Sequence, residues 1–371
     1  MITLPEKLRK TLEKTVKELA ARQDVYGVGL FGSWGRGDAT TSSDVDLFVL
    51  DKREFVYEYV ERIESGGFLI DLDYVPRKWI RGPIPPEIDQ KLNEMQILYD
   101  RDWALTNTKL LMAKSYSSPE RVDIRTEAHV VESDIYLSRA TSAFSREDFK
   151  SSHLFTSVAL ENVLKVLVEI AQQPFSNSRL MEAAENSAAK LRMRNIFDEY
   201  IELTGFGRVD KTNVRDKLRL LKTIWDEISA VAKQNRQTLE SAHFKVKTRL
   251  NYYLNTAFLQ GFLIRATALV EAEKTIEAAH YLNSVLLDII ENYAWLKSTI
   301  DKVRIDYTIL IRSLERLEEK NLRNYENIVT FLGSATTNKA AAAKEIEKTR
   351  KAMVRVRGDR KLLIRDQLSK S

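Results

Sequence analysis

Two aspartates stand one residue apart in Ser43-Asp44-Val45-Asp46-Leu47-Phe48-Val49-Leu50. The apolar residues around them predict a strand, and in a strand residues i and i+2 share a face. Asp44 and Asp46 then project side by side while Val45 and Leu47 enter the core. Two carboxylates so placed repel unless a cation lies between them. Hard divalent ions such as Mg²⁺ (or Mn²⁺) take oxygen ligands of this kind and share them with substrate phosphates. Just upstream, Leu30-Phe31-Gly32-Ser33-Trp34-Gly35-Arg36-Gly37 closes an apolar run. Gly32, Gly35 and Gly37 let backbone N–H groups approach an anion, and a helix start adds its positive end. Ser33 offers a hydroxyl to the same phosphate and Arg36 a fixed charge. An ordinary glycine turn before a strand is the plain alternative, but two such motifs at adjoining strand ends point to a phosphate held against a metal.

Gly32-Ser33 followed by Arg36-Gly37 and then Ser43-Asp44-Val45-Asp46 between hydrophobics resembles the nucleotidyltransferase superfamily of DNA polymerase β, in its small-domain branch. The resemblance covers about residues 1–105. It implies an α+β N-terminal domain, a small mixed sheet with helices, and adds Ser43 to the nucleotide-binding set of Gly32, Ser33 and Arg36. It also implies a third carboxylate on a neighbouring strand. Within Gly67-Phe68-Leu69-Ile70-Asp71-Leu72-Asp73-Tyr74-Val75, Asp71 fits the apolar-Asp-Leu pattern and Asp73 lies on the same face as the alternative ligand. Asp44, Asp46 and Asp71 are thus the expected metal and catalytic residues.

The expected activity is metal-dependent transfer of a nucleoside monophosphate from an NTP, ATP in the first instance, to a hydroxyl acceptor on a small molecule or a protein. An RNA-end transferase or RNA-binding protein is one alternative. A non-catalytic nucleotide-binding regulator of the toxin–antitoxin kind is another, against which the intact Asp44 and Asp46 argue.

Composition bounds the rest. A chain of 371 residues holds two or three domains with real cores. It has no cysteine, which suits a reducing interior rather than a disulfide scaffold. Met1–Lys7 carries no apolar segment of the signal-peptide kind, and no apolar run is long enough to span a bilayer. The expectation is a cytoplasmic protein without membrane contact. Net charge is +5, and residues 341–371 hold ten Lys and Arg against four Asp and Glu. The tail therefore carries +6 and the body −1.

Periodicity predicts a helix over 5–22, strands over 25–31 and 44–50, and a helix over 54–64. A third strand follows the Gly66-Gly67 turn, and a closing strand spans 96–99. After Trp103 glycine and proline thin out and 3.6-residue periodicity takes over, predicting a large all-α helical bundle region. Helices are expected at 103–115, 119–145, 148–172, 177–204, 211–240, 243–271, 273–296 and 298–332. The expected domains are a nucleotidyltransferase domain (1–105), a helical bundle domain (106–240), long C-terminal helices (241–332), and a linker with a basic helical tail (333–371).

Three features compete between structural and functional readings. Glu161 interrupts an apolar helix; the resemblance makes it a candidate general base, and Lys165 one turn on offers an ordinary ion pair. Arg146…His153 and Arg236…His243 share a spacing found in helical ribonucleases, but carry Glu147 and Gln237 where that motif usually has Asn. Tyr252, Tyr253, Phe258 and Phe262 form a helical stripe of the sort that fills cores. The basic tail over 341–371 reads either as a solvated helix or as a phosphate-contacting arm for RNA.

Overall fold

In a computed structural model, residues 4–176, 178–319, 321–334 and 337–369 are described. Ala335 and Thr336 of the expected linker lie outside them. So do Met1–Thr3, the last two tail residues, and Asn177 and Lys320 within the expected helices over 177–204 and 298–332.

The chain divides into two compact units. The first joins residues 1–118 to a distant segment, 248–268; the second comprises 119–247 and 269–371. The first unit begins with α1 (Glu6–Ala21), β1 (Val25–Phe31), the short α2 (Gly32–Arg36) and β2 (Val45–Asp51). It continues with β3 (Tyr59–Ser65), β4 (Phe68–Pro76), α3 (Asp89–Glu94), β5 (Gln96–Asp100) and α4 (Ala104–Ser115). The strands form one sheet in the order β3-β4-β2-β1-β5. Within it β2 and β4 run parallel, and the other neighbours are antiparallel.

Alternation divides the sheet into two faces. Val45, Leu47, Val49, Ile70, Leu72 and Tyr74 are buried against Leu8, Leu12 and Leu19 of α1. Phe48, Leu50 and Val75 face the other way, against Ile88, Leu92 and Met95 around α3 and Leu105 and Met112 of α4. Asp44, Asp46, Asp71 and Asp73 share this second face by strict alternation.

The helix expected over 54–64 is not there. Residues 59–65 form β3, paired antiparallel to β4 across Gly66-Gly67, both at positive φ (59° and 81°). A two-residue glycine turn of this kind matches strand twist and fixes the register of the hairpin. Counting outward from it sets Arg62 opposite Asp71. The alternation of Tyr59, Glu61 and Ile63 with Val60, Arg62 and Glu64 is an edge-strand pattern. Its charges gave it the look of a helix.

The second unit is helical: α5 (Pro119–Ser145), α6 (Phe149–Ile170), α7 (Leu180–Lys190), α8 (Arg194–Thr204), α9 (Lys211–Gln234) and α10 (Arg236–Glu240). Then come α11 (Phe244–Tyr253) and α12 (Thr256–Glu271), which from Thr248 to Ala268 belong to the first unit. The chain ends with α13 (Thr275–Asp301), α14 (Leu310–Leu317), α15 (Leu322–Phe331) and α16 (Lys339–Leu368). Long expected helices are split at positive-φ residues such as Arg192, whereas α13 runs through the break expected near 297 and stops at Lys302, again at positive φ. No helix is long and apolar enough to cross a membrane among the described residues.

The basic tail forms α16, packed on α5 and α6. Ala342, Ile346, Ala352, Met353, Val356 and Ile364 are buried. Arg360 pairs with Asp123 and Glu127, Lys348 with Glu202, and Arg357 with Asp134. The tail is therefore a packed helix rather than a solvated one. The apolar positions are small or widely spaced, so their stripe is hidden among cations.

Candidate active site

Asp46 on β2 is the direct neighbour of Asp71 on β4, and Asp44 precedes β2 on the same face. Their carboxylate oxygens all lie within 4.8 Å of one another. Burial, with Asp44 and Asp71 adding like charge, pushes the Asp46 carboxyl well above its ordinary range. Such a cluster of hard oxygen donors with an excess of negative charge fits a divalent cation.

Asp73 sits two positions further along β4, beside Phe48 rather than beside Asp46. It accepts from Lys91 Nζ at 2.5 Å, and Lys91 also reaches Glu58 at 2.8 Å. Burial raises its carboxyl to about 6, against the pull of Lys91. Of the two aspartates offered by the sequence, Asp71 is the one that joins Asp44 and Asp46.

Two arginines that the motif reading missed hold the triad. Arg62 Nε and Nη2 donate to the two oxygens of Asp71 at 2.6 and 2.5 Å, and Nη2 also donates to Asp44 at 2.6 Å. Arg265 of α12 pairs with the other Asp44 oxygen. Burial alone would raise the Asp44 carboxyl, but Arg265 and Arg62 overbalance it and bring it down. Tyr252 donates its hydroxyl hydrogen to Asp71 Oδ2 at 3.0 Å. Arg62 was legible from the Gly66-Gly67 turn once β3 is seen as a strand. Nothing in the sequence pointed from residues 252 and 265 back to the aspartates.

The segment bearing Tyr252 and Arg265 is brought this close by Gly261. A Cβ there would meet Arg62 Nη1 and Leu69 Cδ1, each at 2.7 Å, so any larger residue would have to displace those two side-chain ends. Of the aromatic stripe, Tyr253, Phe258 and Phe262 are buried core, as expected, whereas Tyr252 bonds to Asp71. Phe258 and Tyr252 pack edge to face (centroids 4.9 Å), and the Arg62 guanidinium lies 5.4 Å from the Phe258 ring centre.

Gly32 sits at φ +67°, and a Cβ there would collide with Asp46 Oδ2. Its N–H donates to Glu94 Oε1 at 2.8 Å, and Arg36 Nη1 donates to Glu94 Oε2 at 2.9 Å. A carboxylate thus rests where the sequence reading set a phosphate, and Glu94 is another residue the motif did not signal. Ser33 lies in α2 and its carbonyl accepts from Gly37 and Asp38 N–H. Ser43 closes the preceding loop, its Oγ accepting from Thr40 N–H at 2.9 Å.

Glu161 belongs to the second unit. Lys165 lies at 2.7 Å, His280 Nε2 at 3.2 Å and the Tyr200 hydroxyl at 3.4 Å. Burial opposes its charge, but Lys165 and His280 hold the carboxyl far below the usual range. It has the ion pair with Lys165 that the helical spacing offered.

A profile of the nucleotidyltransferase domain family matches residues 10–102. A protein of Methanocaldococcus jannaschii named "Putative protein adenylyltransferase" is 35% identical over 88 residues, covering 22% of this chain and 87% of that protein. This chain belongs to the polymerase β-like nucleotidyltransferase superfamily. The matched span of the nucleotidyltransferase includes β1 to β5 and all three aspartates. A solved nucleotidyltransferase-like protein from Exiguobacterium sibiricum 255-15 is 13% identical, with 85% of this chain and 91% of that chain covered at a TM-score of 0.33. That likeness is too loose to argue from.

Proposed function

We propose that this nucleotidyltransferase moves a nucleoside monophosphate from an NTP, ATP first, to a hydroxyl acceptor, with Mg²⁺ or Mn²⁺ held by Asp44, Asp46 and Asp71. The observation that carries the reading is the meeting of those three carboxylates within 4.8 Å. A strand end built only for stability has no use for so much mutual repulsion. When bound, the ion neutralises phosphate charge and lowers the pKa of the attacking hydroxyl.

The chain's own groups divide the remaining work. Gly32 lies against Asp46, and Gly32, Ser33 and Arg36 of α2 receive the triphosphate once Glu94 withdraws, its carboxylate already tracing an anion's contacts with Gly32 and Arg36. Ser43 shapes the loop that leads into Asp44. Asp71 accepts the proton of the acceptor hydroxyl, as a carboxylate within hydrogen-bond reach can. Arg62 and Arg265 neutralise the triad before the metal–nucleotide arrives, and Arg265 must then leave Asp44. Catalysis is then mainly positioning and charge neutralisation.

The name of the archaeal relative supports a protein side chain as acceptor. The packing of α16 against α5 and α6 counts against a free RNA-binding arm. The test is calorimetric titration with Mg²⁺ and a non-hydrolysable ATP analogue, beside transfer of α-phosphate label from ATP to protein and RNA fractions of a cell extract. Metal-dependent binding with label in protein is expected. No binding, or binding indifferent to metal, overturns the reading.

A further inference from the structure

Tyr252 is the one hydroxyl among the described residues that hydrogen-bonds to a carboxylate of the aspartate triad, its Oη lying 3.0 Å from Asp71 Oδ2. The side chains around it hold it there. Arg62 Nη2 donates to the same hydroxyl at 3.3 Å, and the ring packs edge to face on Tyr253 and Phe258. Asn255 reaches the Arg62 carbonyl at 3.4 Å, and Gly261 permits the close passage of α12 over Arg62 and Leu69. Residues 248–268 belong to the same compact unit as the aspartates, so this hydroxyl is a built part of the site. A purely structural side chain needed only to pack among these rings would be served as well by phenylalanine.

We infer that Tyr252 is a modification site: the chain transfers a nucleoside monophosphate to its own Tyr252. The inference rests on the transfer chemistry proposed above. In the step, Tyr252 Oη attacks the α-phosphorus of ATP and an O–P bond forms. The bond from that phosphorus to the bridging oxygen breaks, and pyrophosphate leaves with the electron pair. The phenol proton passes to Asp71, which already accepts its hydrogen bond. The product is a tyrosyl adenylyl phosphodiester on the segment that covers the triad. Among the described residues this is the single such hydroxyl, so the reaction is expected to stop at one nucleotide per chain.

The test uses the full chain with ATP and Mg²⁺, followed by intact mass and peptide mapping. Calorimetric titration with Mg²⁺ and the non-hydrolysable analogue runs beside it. The expected result is one added AMP per chain on the peptide holding Tyr252, absent from Tyr252→Phe and from Asp46→Asn. A mixture of the parent chain with a mass-tagged, inactive Asp46→Asn chain should leave the latter unmodified, because Tyr252 is held within its own unit. Nucleotide binding without an adduct, or an adduct on another residue, overturns the inference and leaves the nucleotidyltransferase reading standing. Label on the inactive chain overturns the intramolecular route. Neither binding nor adduct overturns both.

Discussion

Asp44 and Arg265 are 221 positions apart in sequence and form an ion pair. The aspartate belongs to the acidic cluster and the arginine to a helix from the far half of the chain. A cation and Arg265 cannot both neutralise that carboxylate in the same way. Arg265→Met should therefore tighten Mg²⁺ binding by roughly fivefold, the equivalent of about 1 kcal/mol for a partly exposed pair. Calorimetry of the metal with the ATP analogue reads this. Weaker binding would instead make Arg265 a phosphate ligand.

Asp46 bears the strongest like-charge pressure of the three. Asp46→Asn should cut transfer by at least about 10²-fold while the variant unfolds at the same temperature as the parent or higher. Asp71→Asn should be as inactive. Asp73→Asn should keep transfer and lose stability instead, about 2–4 kcal/mol, because it strips Lys91 of a buried partner. Equal loss of activity in Asp71→Asn and Asp73→Asn would put the third ligand in the wrong place.

Gly261→Ala presses a methyl group into Arg62 and Leu69. The expected cost is about 1–3 kcal/mol. Hydrogen exchange should show it as faster opening of residues 248–268 with little change in β1 or β2. Uniform protection in parent and variant would mean that the segment is not held by this contact.

His129 lies against Phe175 (centroids 5.5 Å), and burial lowers its pKa to about 4, with Lys165 adding repulsion. An unfolded histidine takes its proton near 6.5. Between those values the unfolded state binds more protons, so stability rises with pH and is lost as pH falls from about 6.5 to about 4. Denaturant titrations at pH 7 and pH 5 should show a drop on the order of 2 kcal/mol in the parent. The same pair of titrations on His129→Gln should show a clearly smaller one.

Removal of residues 338–371 takes away Ile346, Met353, Val356 and Ile364, each buried. Every such side chain contributes about 1.5–3 kcal/mol. The truncated chain should melt far below the parent or aggregate through the uncovered faces of α5 and α6. A truncation that melts like the parent would return the tail to the role of a free arm.

The sequence carried the aspartate cluster and the glycine turn beside it because their signals are local. Asp44 and Asp46 share a face through the two-residue period of a strand. Gly32 is demanded by a positive φ beside Asp46. The pairing of Arg62 with Asp71 was also local, written in the Gly66-Gly67 turn, and was lost only because the charges of an edge strand imitate a helix. The choice of Asp71 over Asp73 needed the register of parallel strands, which no turn between β2 and β4 fixes. Tyr252 and Arg265 were beyond reach for a different reason. Their meeting with the aspartates depends on how a helix from the far half of the chain docks, and on the one glycine that lets it pass. Periodicity says that such a helix has a buried face; only the packed structure decides against what.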